Sequence, residues 1–198
     1  MKVRITACGV FQSALKKLGI YRRFPGIEIE YLQPLLHNYP LQLRDKLNDV
    51  VSRASRNGQK VVCLYGNCFP DIDEFLKERA AIRIGCGHCY EMLLGSRSFN
   101  RAMEEDPGTY FVEKELIMNF VSYCREPLEL DDPQMREWFF ERYNTLLYIR
   151  QPGDQELWDR ACQIAQFLNL RLQLKEADYA DLAETLEQKI EQARSVLD

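Results

Sequence analysis

The sequence predicts an α/β protein of Rossmann-like class, a mostly parallel sheet with helices on both faces. Three observations predict it. Short apolar runs alternate along the chain with longer stretches of helical periodicity. The run Lys60-Val61-Val62-Cys63-Leu64-Tyr65 is continuously apolar after its first residue, as a strand buried on both faces of a parallel sheet must be. Helix-start and helix-stop residues punctuate the joins between these runs.

Each element follows in order. Residues 3–7 form the first strand, and residues 10–18 an amphipathic helical segment. Ile27-Glu28-Ile29-Glu30-Tyr31-Leu32 alternates with period two and reads as the second strand. Residues 41–56 place Leu43, Leu47 and Val50 near helical spacing. Residues 60–65 are the third strand. Asp71 or Asp73 caps a short helix reaching Arg79, and residues 80–84 are a fourth strand. Residues 90–105 read as one helix ended by Pro107-Gly108. A short strand at 110–112 precedes a helix to about Cys124. Asp132-Pro133 starts the next helix, with Asp132 as cap and Pro133 in its first turn. Residues 145–149 form a strand, Gly153-Asp154 opens a helix through Leu168, residues 170–174 form the last strand, and Asp178 caps the terminal helix.

The chain has 198 residues, 46% hydrophobic and 28% charged, which excludes disordered and collagen-like classes. At this length a core needs no disulfide or metal staple. A net charge of −4 gives no reason to expect a nucleic-acid partner. No apolar run is long enough to span a bilayer, and Met1-Lys2-Val3-Arg4 enters a strand without a signal-peptide pattern. A cytoplasmic protein without a membrane partner is expected. The chain reads as a single α/β domain, residues 1–198, with a weak subdivision near residues 126–133.

Seven cysteines and two histidines carry the chemistry. In an open parallel sheet, ligands bind at the carboxyl ends of the strands. Cys8 follows the first strand, His37 lies beyond the second, Cys68 follows the third, and Cys86, His88 and Cys89 follow the fourth. Four strands thus deliver sulfur or imidazole to one edge of one sheet. These six are candidate metal ligands, suited to zinc, an iron–sulfur cluster or copper(I) rather than magnesium or calcium. Tyr65, Gly66, Gly85 and Gly87 are the candidate cofactor-contacting positions, and Arg83, Glu91 and Arg97 lie near them. Cys63, Cys124 and Cys162 fall within elements and read as packed thiols.

Cys86-Gly87-His88-Cys89 also matches the active-site tetrapeptide of protein disulfide isomerases. It makes Cys86 and Cys89 candidate catalytic residues, with the helix N-terminus and His88 lowering the Cys86 pKa. The Trp usual before such a motif is replaced by Ile84-Gly85. A phosphate loop, a dinucleotide fingerprint, a c-type haem motif and a nucleophile elbow are absent, so no nucleotide cofactor is expected. The base-off corrinoid signature Asp-x-His-x-x-Gly is absent as well.

The chain resembles the archaeal and bacterial family named domain of unknown function 1638. The resemblance rests on Ala7-Cys8, Leu36-His37-Asn38-Tyr39-Pro40, Leu64-Tyr65-Gly66-Asn67-Cys68, Cys89-Tyr90-Glu91-Met92-Leu93-Leu94-Gly95-Ser96 and Pro107-Gly108-Thr109-Tyr110-Phe111, spread over roughly the first 120 residues. It implies functional roles for Cys8, His37, Cys68 and Cys89. Family members tend to carry Pro-Arg and then Asp-Cys before the last of these. This chain has Ile84-Gly85-Cys86-Gly87-His88, which adds two potential ligands. The resemblance also hints at a metalloenzyme or methyltransferase partner in one-carbon metabolism.

The resulting expectation is a metal- or iron–sulfur-binding protein, with its Cys/His site at the carboxyl edge of a parallel sheet and a role in methyl transfer or metallocofactor metabolism. Two alternatives stand beside it. One is a thiol–disulfide oxidoreductase using Cys86 and Cys89; the other is a non-catalytic accessory protein that binds an enzyme.

Overall fold

The computed structural model describes residues 2–154 and 157–195. The chain is mixed α/β and divides into two compact units, residues 1–92 with 179–198, and residues 93–178. The stretch 126–133 falls inside the second unit.

The first unit is built on β1 (Val3–Cys8), β2 (Glu28–Leu32), β3 (Lys60–Leu64) and β4 (Ile82–Arg83). They form a parallel sheet in the order β2-β1-β3-β4. Between β1 and β2 run α1 (Gln12–Lys17) and α2 (Ile20–Arg23); α3 (Pro40–Arg56) crosses from β2 to β3, and α4 (Ile72–Lys77) from β3 to β4. Parallel neighbours demand such crossovers. The long α3 places Leu43, Leu47, Val50, Val51 and Ala54 on one buried stripe, and packs against β1 and β3. After β1 the chain moves to one side, to β2, and then returns to the other side at β3. The carboxyl ends of β1 and β3 therefore flank the point where strand order reverses, the usual ligand crevice of an open parallel sheet.

The segment following β4 begins α5 (Cys89–Leu94), then α6 (Ser96–Glu105). The single helix expected over 90–105 is thus two. Gly95 has φ 75°, a left-handed value glycine adopts without steric cost, and it breaks the helix there. The fourth strand is shorter than expected. Ala80 has φ 53° and Ala81 donates its N–H to Leu76 O, so residues 80–81 close α4 rather than extend β4.

The second unit holds β5 (Thr109–Val112), α7 (Lys114–Met118), α8 (Pro133–Phe140), β6 (Thr145–Arg150), α9 (Trp158–Leu168) and β7 (Arg171–Glu176). Its strands are parallel in the order β5-β6-β7. The helix expected to reach Cys124 is α7 followed by a π-helical turn, Val121–Arg125. Asp132 caps α8 as expected, accepting from Gln134 N–H at 2.8 Å. The helix expected to open at Gly153-Asp154 is α9, and part of that opening, residues 155–156, lies outside the described residues. Leu146, Tyr148, Ala161, Ile164 and Leu168 form the core here.

The terminal helix α10 (Ala180–Ser195) returns to the first unit, packing on β1, β3 and β4. No helix among the described residues is long and apolar enough to cross a membrane.

Candidate functional site

The carboxyl ends of the four strands of the first sheet and the segments that follow them carry all six predicted Cys and His positions. Cys8 is the last residue of β1 and is buried. His37 lies in the 3₁₀ turn Pro34–Asn38 after β2. Cys68 sits in the turn after β3, Cys86 and His88 in the turn after β4, and Cys89 opens α5. Cys68, Cys86 and Cys89 are half-buried; His37 and His88 are more exposed as residues, but both imidazoles are partly shielded from water.

Close backbone approaches hold these turns together. A Cβ on Gly9 would stand 2.9 Å from Pro34 Cδ. The missing side chain lets the turn after Cys8 lie against the turn that carries His37. A Cβ on Gly66 would meet Cys89 N at 3.0 Å, Gly87 O at 3.1 Å and the His88 Cα at 3.1 Å. Asn67 donates its N–H to Gly87 O at 2.9 Å, so the turns after β3 and β4 run in contact. Gly85 is different: a side chain there would meet nothing within 4 Å.

Arg83 straps the same turns. Its side chain is 5% exposed and pairs with Asp73 Oδ2 at 2.7 Å. It also donates to Tyr65 O at 3.1 Å, Asn67 Oδ1 at 2.6 Å and Cys86 O at 2.9 Å. A buried guanidinium with this many acceptors is satisfied in place, and its charge favours the thiolates of Cys63, Cys68 and Cys86.

Electrostatics singles out Cys68. Hydrogen bonds from the Cys89 thiol and the His37 imidazole, with the charges of His37 and Arg83, bring its pKa down to about 5 against the opposing effect of burial. The proton stays with the partners. Cys89 is pushed well above the ordinary thiol value by its bond to Cys68, then by burial and the nearby Cys8 sulfur. His37 is raised, first by its bond to Cys68. Cys68 is thus linked to Cys89 and His37, with Cys8 in electrostatic reach of Cys89. Tyr65 is in electrostatic reach of the same sulfurs: the phenol is buried, and Cys8, Cys63, Cys89 and Cys68 all raise its pKa after burial itself.

The other half of the Cys86-Gly87-His88-Cys89 motif behaves differently. The expected lowering of the Cys86 pKa is reversed. Burial and the Glu91 carboxylate push it up to about 11, with the sulfur 3.0 Å from Glu91 Oε2. A carboxylate in contact opposes formation of a second anion more strongly than one short helix favours it. His88 stacks on Tyr90 with ring centroids 4.9 Å apart, and its pKa is lowered by burial and by His37. Glu91 was legible as a neighbour of the site, but not as the group that opposes Cys86 ionisation.

Of the remaining cysteines, Cys63 is fully buried in β3 and its thiol is pushed up to about 12 by burial. Cys124 is buried with Tyr110 Oη 3.1 Å from its sulfur, and Cys162 lies on α9, half-buried. A groove lined by residues that include Lys60, Lys77, Ile82, Arg83 and Lys189 involves none of the six predicted ligands. Among the described residues, no group of three or more His, Cys, Asp or Glu side chains is arranged so that it could hold a metal ion.

No curated protein and no solved structure matches the chain. A family profile does match, over residues 31–186. That span includes His37, Cys68, Cys86, His88 and Cys89 and leaves Cys8 outside it. Since it covers most of the sequence, the chain belongs to the family described as Protein of unknown function (DUF1638).

Proposed function

We propose that the carboxyl edge of the four-stranded sheet binds a thiophilic metal centre, zinc or an iron–sulfur cluster, through Cys8, Cys68 and Cys89. One observation carries this reading. The Cys68 sulfur shares hydrogen bonds with Cys89 and His37, with Cys8 in electrostatic reach of Cys89, at the crevice where strand order reverses. Sulfurs around a tetrahedral ion stand about 3.8 Å apart, given metal–sulfur bonds of ~2.3 Å. Loading exchanges thiol hydrogen bonds for metal–sulfur bonds and releases protons. Among the described residues no group of three or more His, Cys, Asp or Glu is arranged to hold a metal ion, so loading requires these side chains to move. His37, bonded to Cys68, takes the outer-shell part of orienting a ligand and supporting its charge.

The chain is large enough to fold without a metal staple, so the centre serves chemistry or transfer rather than folding. A three-thiolate zinc with an open position activates a thiol or accepts a methyl group, in keeping with a methyltransferase or other metalloenzyme partner.

Protein purified without oxygen is expected to contain stoichiometric zinc, or iron with sulfide and visible absorption. Cys68→Ser and Cys89→Ser are expected to lose most of it, while Cys86→Ser retains it. Metal-free wild-type protein without visible absorption would sink the reading.

The same hydrogen-bonded pair supports a second reading, thiol–disulfide exchange at Cys68 and Cys89 rather than at Cys86 and Cys89. The Cys68 thiolate attacks a substrate disulfide and releases one thiol. Cys89 then attacks the mixed disulfide, giving a Cys68–Cys89 disulfide and a second thiol, so two electrons pass to the substrate. Loss of the two-electron thiol couple in Cys68→Ser, with retention in Cys86→Ser, distinguishes it from the tetrapeptide mechanism.

A further inference from the structure

Near the amino ends of β3 and β4 the first unit carries a groove of about 400 Å³. Four cationic side chains line it: Lys60 at the start of β3, Lys77 at the end of α4, Arg83 of β4 and Lys189 of α10. None of the described residues that line it is acidic. The Arg83 guanidinium is already met by Asp73 Oδ2 at 2.7 Å. The three lysines have no such counter-charge. Lys60 and Lys77 form no ion pair or side-chain hydrogen bond with any described residue, and Lys189 donates to the neutral Gln192 Oε1 at 3.2 Å. Lys60 and Lys189 are nonetheless half-buried.

Like charges gathered on a concave surface repel one another and concentrate a positive potential, and a bound anion relieves both. The chain as a whole carries a net charge of −4, so this potential is local. Lysine points to the class of anion. The planar fork of Arg matches a carboxylate, whereas ammonium groups on flexible stems act as point charges and suit the several oxygens of a phosphate. The floor between the lysines is small and apolar, with Ala80, Ile82 and Ala193. No aromatic ring is among the described lining residues, so nothing there stacks a base. The volume falls within the range of small-molecule pockets. We propose that this groove binds a small aliphatic phosphate monoester, its phosphate held by Lys60, Lys77 and Lys189 and its carbon chain lying on Ala80, Ile82 and Ala193. The inference stands apart from the thiol-bearing turns and does not depend on the metal reading.

The test titrates the full chain with butyl phosphate and with inorganic phosphate by calorimetry at fixed ionic strength. Butyl phosphate is expected to bind one to one and saturably, several-fold tighter than inorganic phosphate. Lys60→Gln, Lys77→Gln and Lys189→Gln are each expected to weaken it about tenfold, the loss of one hydrogen bond to a charged group. Lys46→Gln, on α3 and outside the groove, is expected to leave it unchanged. The groove substitutions remove like-charge repulsion, so Tm in phosphate-free buffer is expected to hold or to rise slightly. Amide chemical shifts on adding butyl phosphate locate the site in wild-type protein without any variant, and are expected to move at residues 80–82 and 189–193. Absence of saturable binding overturns the inference, as do shifts confined to other residues. An equal loss in Lys46→Gln and in the groove variants overturns it too, because it marks a diffuse charge effect. Inorganic phosphate bound as tightly as butyl phosphate overturns the assignment of an ester.

Discussion

Cys68 and Cys86 are the same residue type in adjacent turns, and their surroundings drive them apart. Cys68 accepts from Cys89 and His37 near Arg83, and falls to about 5; Cys86 faces Glu91 and rises to about 11. A lowered folded pKa means the thiolate is favoured, so acid switches it off. In metal-free protein, alkylation of Cys68 by iodoacetamide is expected to be half-maximal near pH 5, while Cys86 stays unreactive through neutral pH. His37→Ala removes a donor and a positive charge, and moves the Cys68 midpoint upward. Peptide mass mapping across pH checks both, and an unmoved midpoint in the variant would show that the imidazole does not hold the thiolate. The sequence identified these thiols and their strand-end positions. It assigned the lowered pKa to Cys86 because the tetrapeptide is local, whereas the partners that lower Cys68 come from turns 31 and 21 residues away in the chain.

At the scale of elements, a second polar cluster sits at the carboxyl ends of β5 and β6, and the sequence reading did not find it. Glu113 follows β5, is 1% exposed, and caps α7 by accepting from Glu115 N–H at 2.9 Å and Leu116 N–H at 3.0 Å. Its available signal was an acid immediately after a short strand, which reads equally as a solvated loop. Burial, partly opposed by those two N–H groups, raises its pKa to about 7. Between the unfolded value near 4.5 and the folded value, the native state holds a proton that the unfolded chain has released. Stability therefore falls as pH rises through that window. The shift corresponds to about 3 kcal/mol. Glu113→Gln keeps a cap oxygen and cannot ionise. Urea unfolding at pH 5 and pH 8 is expected to show a smaller loss of stability on raising pH in the variant than in wild type. The same loss in both would mean that Glu113 does not titrate in this range.

At the scale of the whole chain, the first unit is discontinuous in sequence: residues 1–92 are completed by residues 179–198. Leu182, Leu186, Ile190 and Ala193 of α10 are buried, and the helix packs on β1, β3 and β4. Removing large buried side chains costs about 2–5 kcal/mol each, and whole domains are stable by about 5–15 kcal/mol. A chain ending at residue 178 is accordingly expected to lose cooperative folding of the first unit and, with it, the low Cys68 midpoint. Circular dichroism melting and the alkylation assay test this together; an unchanged Tm would show that α10 is dispensable.

The sequence by itself determined the α/β class, the strand positions and the list of sulfur and imidazole groups at strand ends. Alternating periodicity and turn residues encode those locally. It also carried the resemblance to the family that the match over residues 31–186 establishes. Tertiary structure decided the rest. Strand order β2-β1-β3-β4 put the carboxyl ends of β1 and β3 next to each other, the close approaches at Gly9 and Gly66 brought the turns together, and Glu91 set the ionisation of Cys86 apart from that of Cys68. A pKa and a hydrogen-bond partner depend on distances of a few ångströms, and for Cys68 those distances run between residues far apart in the chain.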